Sequence, residues 1–114
     1  MGRSLEAQIM YATMAALGYC MLAAPPDKAT LFGFLKDLIN ARYAASVTVD
    51  DLVEIGKETL RFELKFNEGS QFHSANEPDP AFIRTEGVGP NQTVFDVDEA
   101  EIKTIWNKLD SYKI

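Results

Sequence analysis

Cys20 is the only cysteine in the chain and His73 the only histidine. A catalytic thiolate needs a base beside it, and nothing in the spacing brings these two together. One cysteine and one histidine also fall short of the three or four clustered ligands of a zinc site. A [4Fe–4S] cluster takes four thiolates or their equivalent, so this chain does not hold one alone. From composition, Cys20 reads as a small, inert, buried thiol on a core helix. His73 reads as a surface or core-edge side chain. Glu63 is the unusual carboxylate. It stands between Phe62 and Leu64, with Leu60 and Phe66 close by, on the apolar side of a predicted helix. A carboxylate there requires partners, and the simplest role is a structural hydrogen-bond or ion-pair anchor. A functional acid at that place would carry a raised pKa. The pairs Asp50-Asp51 and Asp98-Glu99 are better explained as helix starts. No GxGxxG or P-loop spacing occurs, and Gly87-Val88-Gly89-Pro90 is a turn, not a phosphate cradle. The residues alone supply no nucleophile–base pair, no complete metal site and no cofactor loop. The isolated chain is therefore expected to catalyse nothing.

The elements around these residues read as helices. Residues 4–24 contain the uncharged run from Ile9 to Ala24, which carries Cys20. Leu5, Ile9, Ala12, Ala16, Tyr19 and Ala23 form one stripe at helical spacing, and Met10, Met14, Leu17 and Met21 form another. A helix apolar on so much of its circumference is buried on most sides. Gly18 costs about 1 kcal/mol of helix propensity against Ala, so it marks either a packing need or a break. Pro25-Pro26 stops the element. Asp27 caps a second helix over about 28–43, with Leu31, Leu35, Leu38 or Ile39, and Arg42 recurring. Thr48 to Asp51 resembles a capping box for a third helix, running to about Asn67. Its expected seam is Leu52, Ile55, Thr59, Phe62 and Phe66, widened by Leu60 and Leu64. Residues 69–97 hold Pro78, Pro80, Gly87, Gly89 and Pro90 but also Phe72, Phe82, Ile83, Val88, Val94 and Phe95. They read as an extended wrap over the helices, with a short helix near 78–84. Asp98 caps a last helix, with Glu101 three residues on and Val97 placed to staple to Ile102. Its apolar face is Ile102, Ile105, Trp106, Leu109 and Tyr112.

The expectation is a single all-α domain over residues 1–114, with four principal helices and one long irregular wrap. A net charge of −6 argues against nucleic acid as a partner. The eleven Lys and Arg residues are scattered, so no polybasic membrane patch appears. The apolar run is shorter than the ~20 residues of a membrane span. Glu6, Met21, Leu22 and Pro25-Pro26 are wrong for a secretory leader. A lone cysteine fits a reducing, cytoplasmic setting. A first helix this apolar, with only three others to cover it, is expected to leave some surface for a homodimer through residues 5–24.

Four segments together resemble the C-terminal region of the tungsten-containing aldehyde:ferredoxin oxidoreductases. Leu17-Gly18-Tyr19-Cys20 resembles the family's L-G-x-C segment. Asn40-Ala41-Arg42, Asp51-Leu52 and Ile55-Gly56 resemble the helices that follow it. Glu63-Leu64-Lys65-Phe66-Asn67-Glu68-Gly69 resembles its E-x-x-F-N-x-x-G signature. Phe82-Ile83-Arg84-Thr85-Glu86, with Pro90 and Val94-Phe95-Asp96-Val97, resembles its closing segment. The resemblance spans about residues 5–112 and only the last part of such an enzyme. It implies an aldehyde-to-carboxylate oxidation in the whole protein, with electrons leaving through a [4Fe–4S] cluster to ferredoxin. It places Cys20 as the fourth cluster thiolate beside a tungsten–bispterin cofactor. The other three thiolates, and the catalytic region as a whole, would come from a missing N-terminal portion or subunit. Two departures matter. Ala15 stands where the family has a pterin-contacting aspartate, and Ala44-Ala45 stand where it usually has glycine. The competing expectation is a non-enzymatic helical interaction or oligomerisation module derived from that domain.

Overall fold

A computed structural model describes residues 2–25, 27–69 and 80–113, apart from the side chain of Lys103. His73 and Phe72 lie outside the described residues. The described part is helical, with no β-strand and a single isolated bridge between Val88 and Thr93. The expected all-α class is therefore observed. No described helix is long and apolar enough to cross a membrane.

The first helix, α1, covers Gly2–Ala16 and stops well short of the expected Ala24. Gly18 adopts φ +68° just beyond its end. The Tyr19 amide donates to the Met14 carbonyl at 2.8 Å and the Gly18 amide to the Ala15 carbonyl at 3.1 Å. This is a Schellman closure, which satisfies the last carbonyls and turns the chain away. Gly18 is thus a break rather than a packing contact: nothing stands within 4 Å of where a Cβ would be. A single 3₁₀ turn, Met21–Ala23, follows.

Helix α2 covers Lys28–Tyr43, and the Asp27 carboxylate accepts from the Thr30 amide at 2.9 Å as its cap. Helix α3 covers Val49–Glu68 and begins with the expected capping box between Thr48 and Asp51. These caps hold the Asp27 and Asp51 carboxyls below their usual range, through hydrogen bonds from Thr30 and Thr48 respectively. The Asn40 amide clamps the α2–α3 connection, donating to the Val47 carbonyl at 2.9 Å and accepting from its N–H at 2.8 Å.

The core lies where α1 crosses α3. Leu5, Ile9, Ala12 and Met14 of α1 meet Leu52, Val53 and Leu60 of α3, with Leu31, Phe32 and Leu35 of α2 behind them. Gly56 sits at the crossing, and a Cβ there would stand 2.5 Å from the Ile9 carbonyl oxygen. Thr13, fully buried, is within hydrogen-bond reach of both the Ile9 carbonyl at 2.9 Å and the Leu52 carbonyl at 3.1 Å. The inward face of α3 is therefore Leu52, Val53, Gly56, Lys57 and Leu60. Of the expected seam, Leu52 and Leu60 are buried and Ile55 packs at the core edge, whereas Phe62 and Phe66 face outward, 73% and 83% exposed.

The later segment also departs from expectation. Helix α4, Ala81–Thr85, falls near the predicted short helix, but the wrap over the core is not formed by residues 80–97. None of them joins the core, and Phe82 and Val88 are exposed. They tie to one another: the Phe95 amide donates to the Ile83 carbonyl at 3.1 Å, and the Arg84 guanidinium lies 5.4 Å from the Phe95 ring. Helix α5, Glu99–Thr104, is shorter than predicted and tightens into a 3₁₀ turn at Ile105–Lys108. The Thr104 hydroxyl donates back to the Ala100 carbonyl at 2.7 Å, a bond that competes with helix continuation. Ile105 and Leu109 still reach the core, as expected.

Candidate functional site

The turn after α1 carries the chain's one cysteine. Because α1 ends at Ala16, Cys20 is not on a core helix, and its thiol is exposed. The expectation of a buried cysteine is corrected by that early helix end. The Tyr19 ring packs on Phe34 of α2, with centroids 6.0 Å apart and planes at 59°, and its hydroxyl donates to the Ala23 carbonyl at 2.8 Å. These contacts hold the turn from both ends. Met21 and Leu22 beside Cys20 are 58% and 88% exposed. The result is an open thiol in an apolar rim, on the outside of the molecule.

The other sequence candidates do not converge on it. Glu63 is exposed on the outward side of α3, so it is not the buried carboxylate of the sequence reading. With Phe62, Lys65, Phe66 and Asn67 it lines an open depression of about 660 Å³. Ala15 is exposed at the end of α1 and offers no ligand atom. No group of three or more His, Cys, Asp or Glu among the described residues is placed to hold a metal ion. The chain's own donors therefore do not fit a [4Fe–4S] cluster, since it supplies one thiolate of the four required. They do not fit a pterin either, at the position the resemblance points to.

Two polar clusters escaped the sequence reading. In the first, the Lys28 ammonium bonds the Glu6 carboxylate at 2.8 Å and lies 6.0 Å from the centre of the Tyr112 ring. The hydrogen bond from Lys28 lowers the Glu6 pKa, and the same bond raises that of Lys28. Burial raises the Tyr112 hydroxyl. Both charges influence Tyr112, yet its buried Oη has no partner at hydrogen-bond geometry among the described residues. An unpaired buried hydroxyl costs roughly 1–3 kcal/mol. Tyr112→Phe is thus expected to leave stability unchanged or raise it by up to about 1 kcal/mol, measured by urea unfolding. A loss of stability would show that the hydroxyl is satisfied.

In the second cluster, the Lys57 stem is buried while its ammonium reaches the Asp110 carbonyl at 3.3 Å. Arg61 bridges Glu54 at 2.6 Å and the Asp110 carboxylate at 3.0 Å through Nε. The hydrogen bond from Arg61 lowers the Glu54 pKa. Both clusters fasten the C-terminal turn, one to α1 and α2 and the other to α3. Each has an evident structural job. Their only sequence signal was Lys57 and Tyr112 at helix-compatible spacing from apolar neighbours.

No protein-family model, no curated protein and no solved structure matches this chain. The resemblance to the aldehyde:ferredoxin oxidoreductases rests on the four short segments alone.

Proposed function

We propose that this chain is a helical binding module with no reaction of its own, which works by docking the Tyr19–Leu22 turn against another polypeptide. The observation that carries this reading is the exposed Cys20 thiol framed by exposed Met21 and Leu22 on a turn anchored at Tyr19. Large apolar side chains presented outward next to a polar group are the composition of an interface centre.

The finer form follows the resemblance. In it, the chain is the C-terminal domain or subunit of an aldehyde:ferredoxin oxidoreductase-like protein, and Cys20 supplies one thiolate to a cluster held mainly by a partner region. The exposed position of Cys20 favours that form; alanine at position 15 favours the plain interaction module. Both forms predict that the purified chain oxidises no aldehyde with ferredoxin as acceptor, and measured turnover would defeat both. Co-expression with a polypeptide carrying the three other thiolates separates them. A brown complex that turns colourless with Cys20→Ser supports the oxidoreductase form. A complex whose colour ignores that substitution rejects it. A self-association through residues 5–24 would use the same turn, and it predicts that Leu22→Ser abolishes a dimer of this chain.

A further inference from the structure

We propose that the C-terminal half of α3 is a self-association surface on which two copies of this chain pair antiparallel across Phe62 and Phe66. This inference does not depend on the docking role of the Cys20 turn, which lies on a different element.

At 3.6 residues per turn, Phe62 and Phe66 sit about 130° around the helix from the centre of its core-facing side. They are therefore not core residues left bare by a short neighbour; they point away from the core by design of the sequence. Both are exposed, at 73% and 83%, on a helix of 20 residues that meets α1 most closely at Gly56.

The charges around this strip choose both the occupant and its direction. Thr59, Phe62 and Phe66 follow the four–three alternation of a coiled-coil seam, as positions a, d and a. Glu58 and Lys65 then flank the seam on one edge as g positions, and Glu63 flanks it on the other as an e position. In a parallel pair, g faces e of the second helix, so Glu58 would oppose the partner's Glu63. In the antiparallel register that packs Phe62 on the partner's Thr59, g faces g, so Glu58 meets the partner's Lys65 and Lys65 meets the partner's Glu58; the register that packs Phe62 on the partner's Phe66 would instead set Lys65 against Lys65 and Glu63 against Glu63. The strip is thus self-complementary about a two-fold axis in one antiparallel register and self-repelling in a parallel pair. A surface whose charges satisfy a rotated copy of themselves fits an isologous dimer. The apolar centre supplies the attraction, and the edge charges set the register.

Sedimentation equilibrium of the full chain over a wide concentration range tests this. The wild-type chain is expected to show a reversible monomer–dimer equilibrium. Phe62→Ser is expected to weaken it by about tenfold or more, since two aromatic rings per dimer lose their cover. Glu58→Lys is expected to weaken it as well, although it brings a net charge of −6 closer to neutrality and so reduces general repulsion. The double variant Glu58→Lys/Lys65→Glu restores the opposed pairs and is expected to recover most of the affinity. All three positions are exposed, so each variant should keep the wild-type helical spectrum. A chain that stays monomeric at every concentration overturns the proposal. So does a dimer that Glu58→Lys strengthens, which is the signature of parallel pairing. A dimer indifferent to all three variants, as one formed through residues 5–24 would be, overturns it too.

Discussion

Gly56→Ala is expected to destabilise this fold by about 2–3 kcal/mol, against the usual sign for a glycine inside a helix. Replacing a mid-helix glycine with alanine ordinarily gains up to about 1 kcal/mol. Here the added Cβ would collide with Thr13 Oγ1 and stand 2.5 Å from the Ile9 carbonyl oxygen. The hydroxyl could rotate aside, but the carbonyl belongs to the α1 backbone. The two helices would have to separate along their main line of packing, where Ile9 and Leu52 are essentially fully buried. Thr13 would lose its reach to the Leu52 carbonyl in the same movement. Adding Thr13→Ala to the Gly56 variant should recover little, because the Ile9 carbonyl is still in the way. Urea unfolding of the single and double variants checks this. A stability gain in Gly56→Ala would show that the crossing is looser than the geometry says.

That crossing also explains which parts of the fold were legible from sequence. Helix starts were, because caps are local: Asp27, Thr48 with Asp51, and Asp98 each accept the backbone hydrogen bonds their types imply. The inward face of α3 was legible only in part: Leu52 and Leu60 lie on it as expected, but Phe62 and Phe66 do not. Two stripes compete on it, one through Phe62 and Phe66 and one through Val53, Gly56, Lys57 and Leu60. The aromatic stripe has more apolar surface and was favoured. The decision belongs to a tertiary contact, the close approach that only Gly56 permits, and the signal available was that glycine inside a helical pattern. Once the face is turned, Glu63 moves from the apolar side to solvent, and Lys57 moves from solvent to the core edge. The exposure of Cys20 follows from a second glycine in the same way. Periodicity carried α1 through to Ala24, since the residues after Gly18 keep the helical spacing. A periodic pattern cannot report a left-handed residue inside it, and that residue changed the cysteine from a core filler to the centre of the candidate site.

Gly18→Val should therefore cost about 2 kcal/mol and displace Cys20 without any steric clash. Nothing lies within 4 Å of a Cβ at this position, so the penalty is held in the backbone. A φ of +68° costs an ordinary L-residue roughly 1–2 kcal/mol, and a β-branched one more. The chain can escape by giving up the left-handed turn and letting α1 run on. That would break the Tyr19–Met14 closure, draw Tyr19 off Phe34 and swing the Cys20 thiol around the helix. Urea unfolding reads the stability, and the alkylation rate of Cys20 in the folded chain reads the displacement. Asparagine tolerates this conformation, so Gly18→Asn should stay near wild type in both measurements, with Gly18→Ala between the two. An order that followed side-chain size, with Asn worse than Ala, would mean that packing governs the turn. The predicted order instead puts Ala behind the larger Asn, and only a backbone cost produces it.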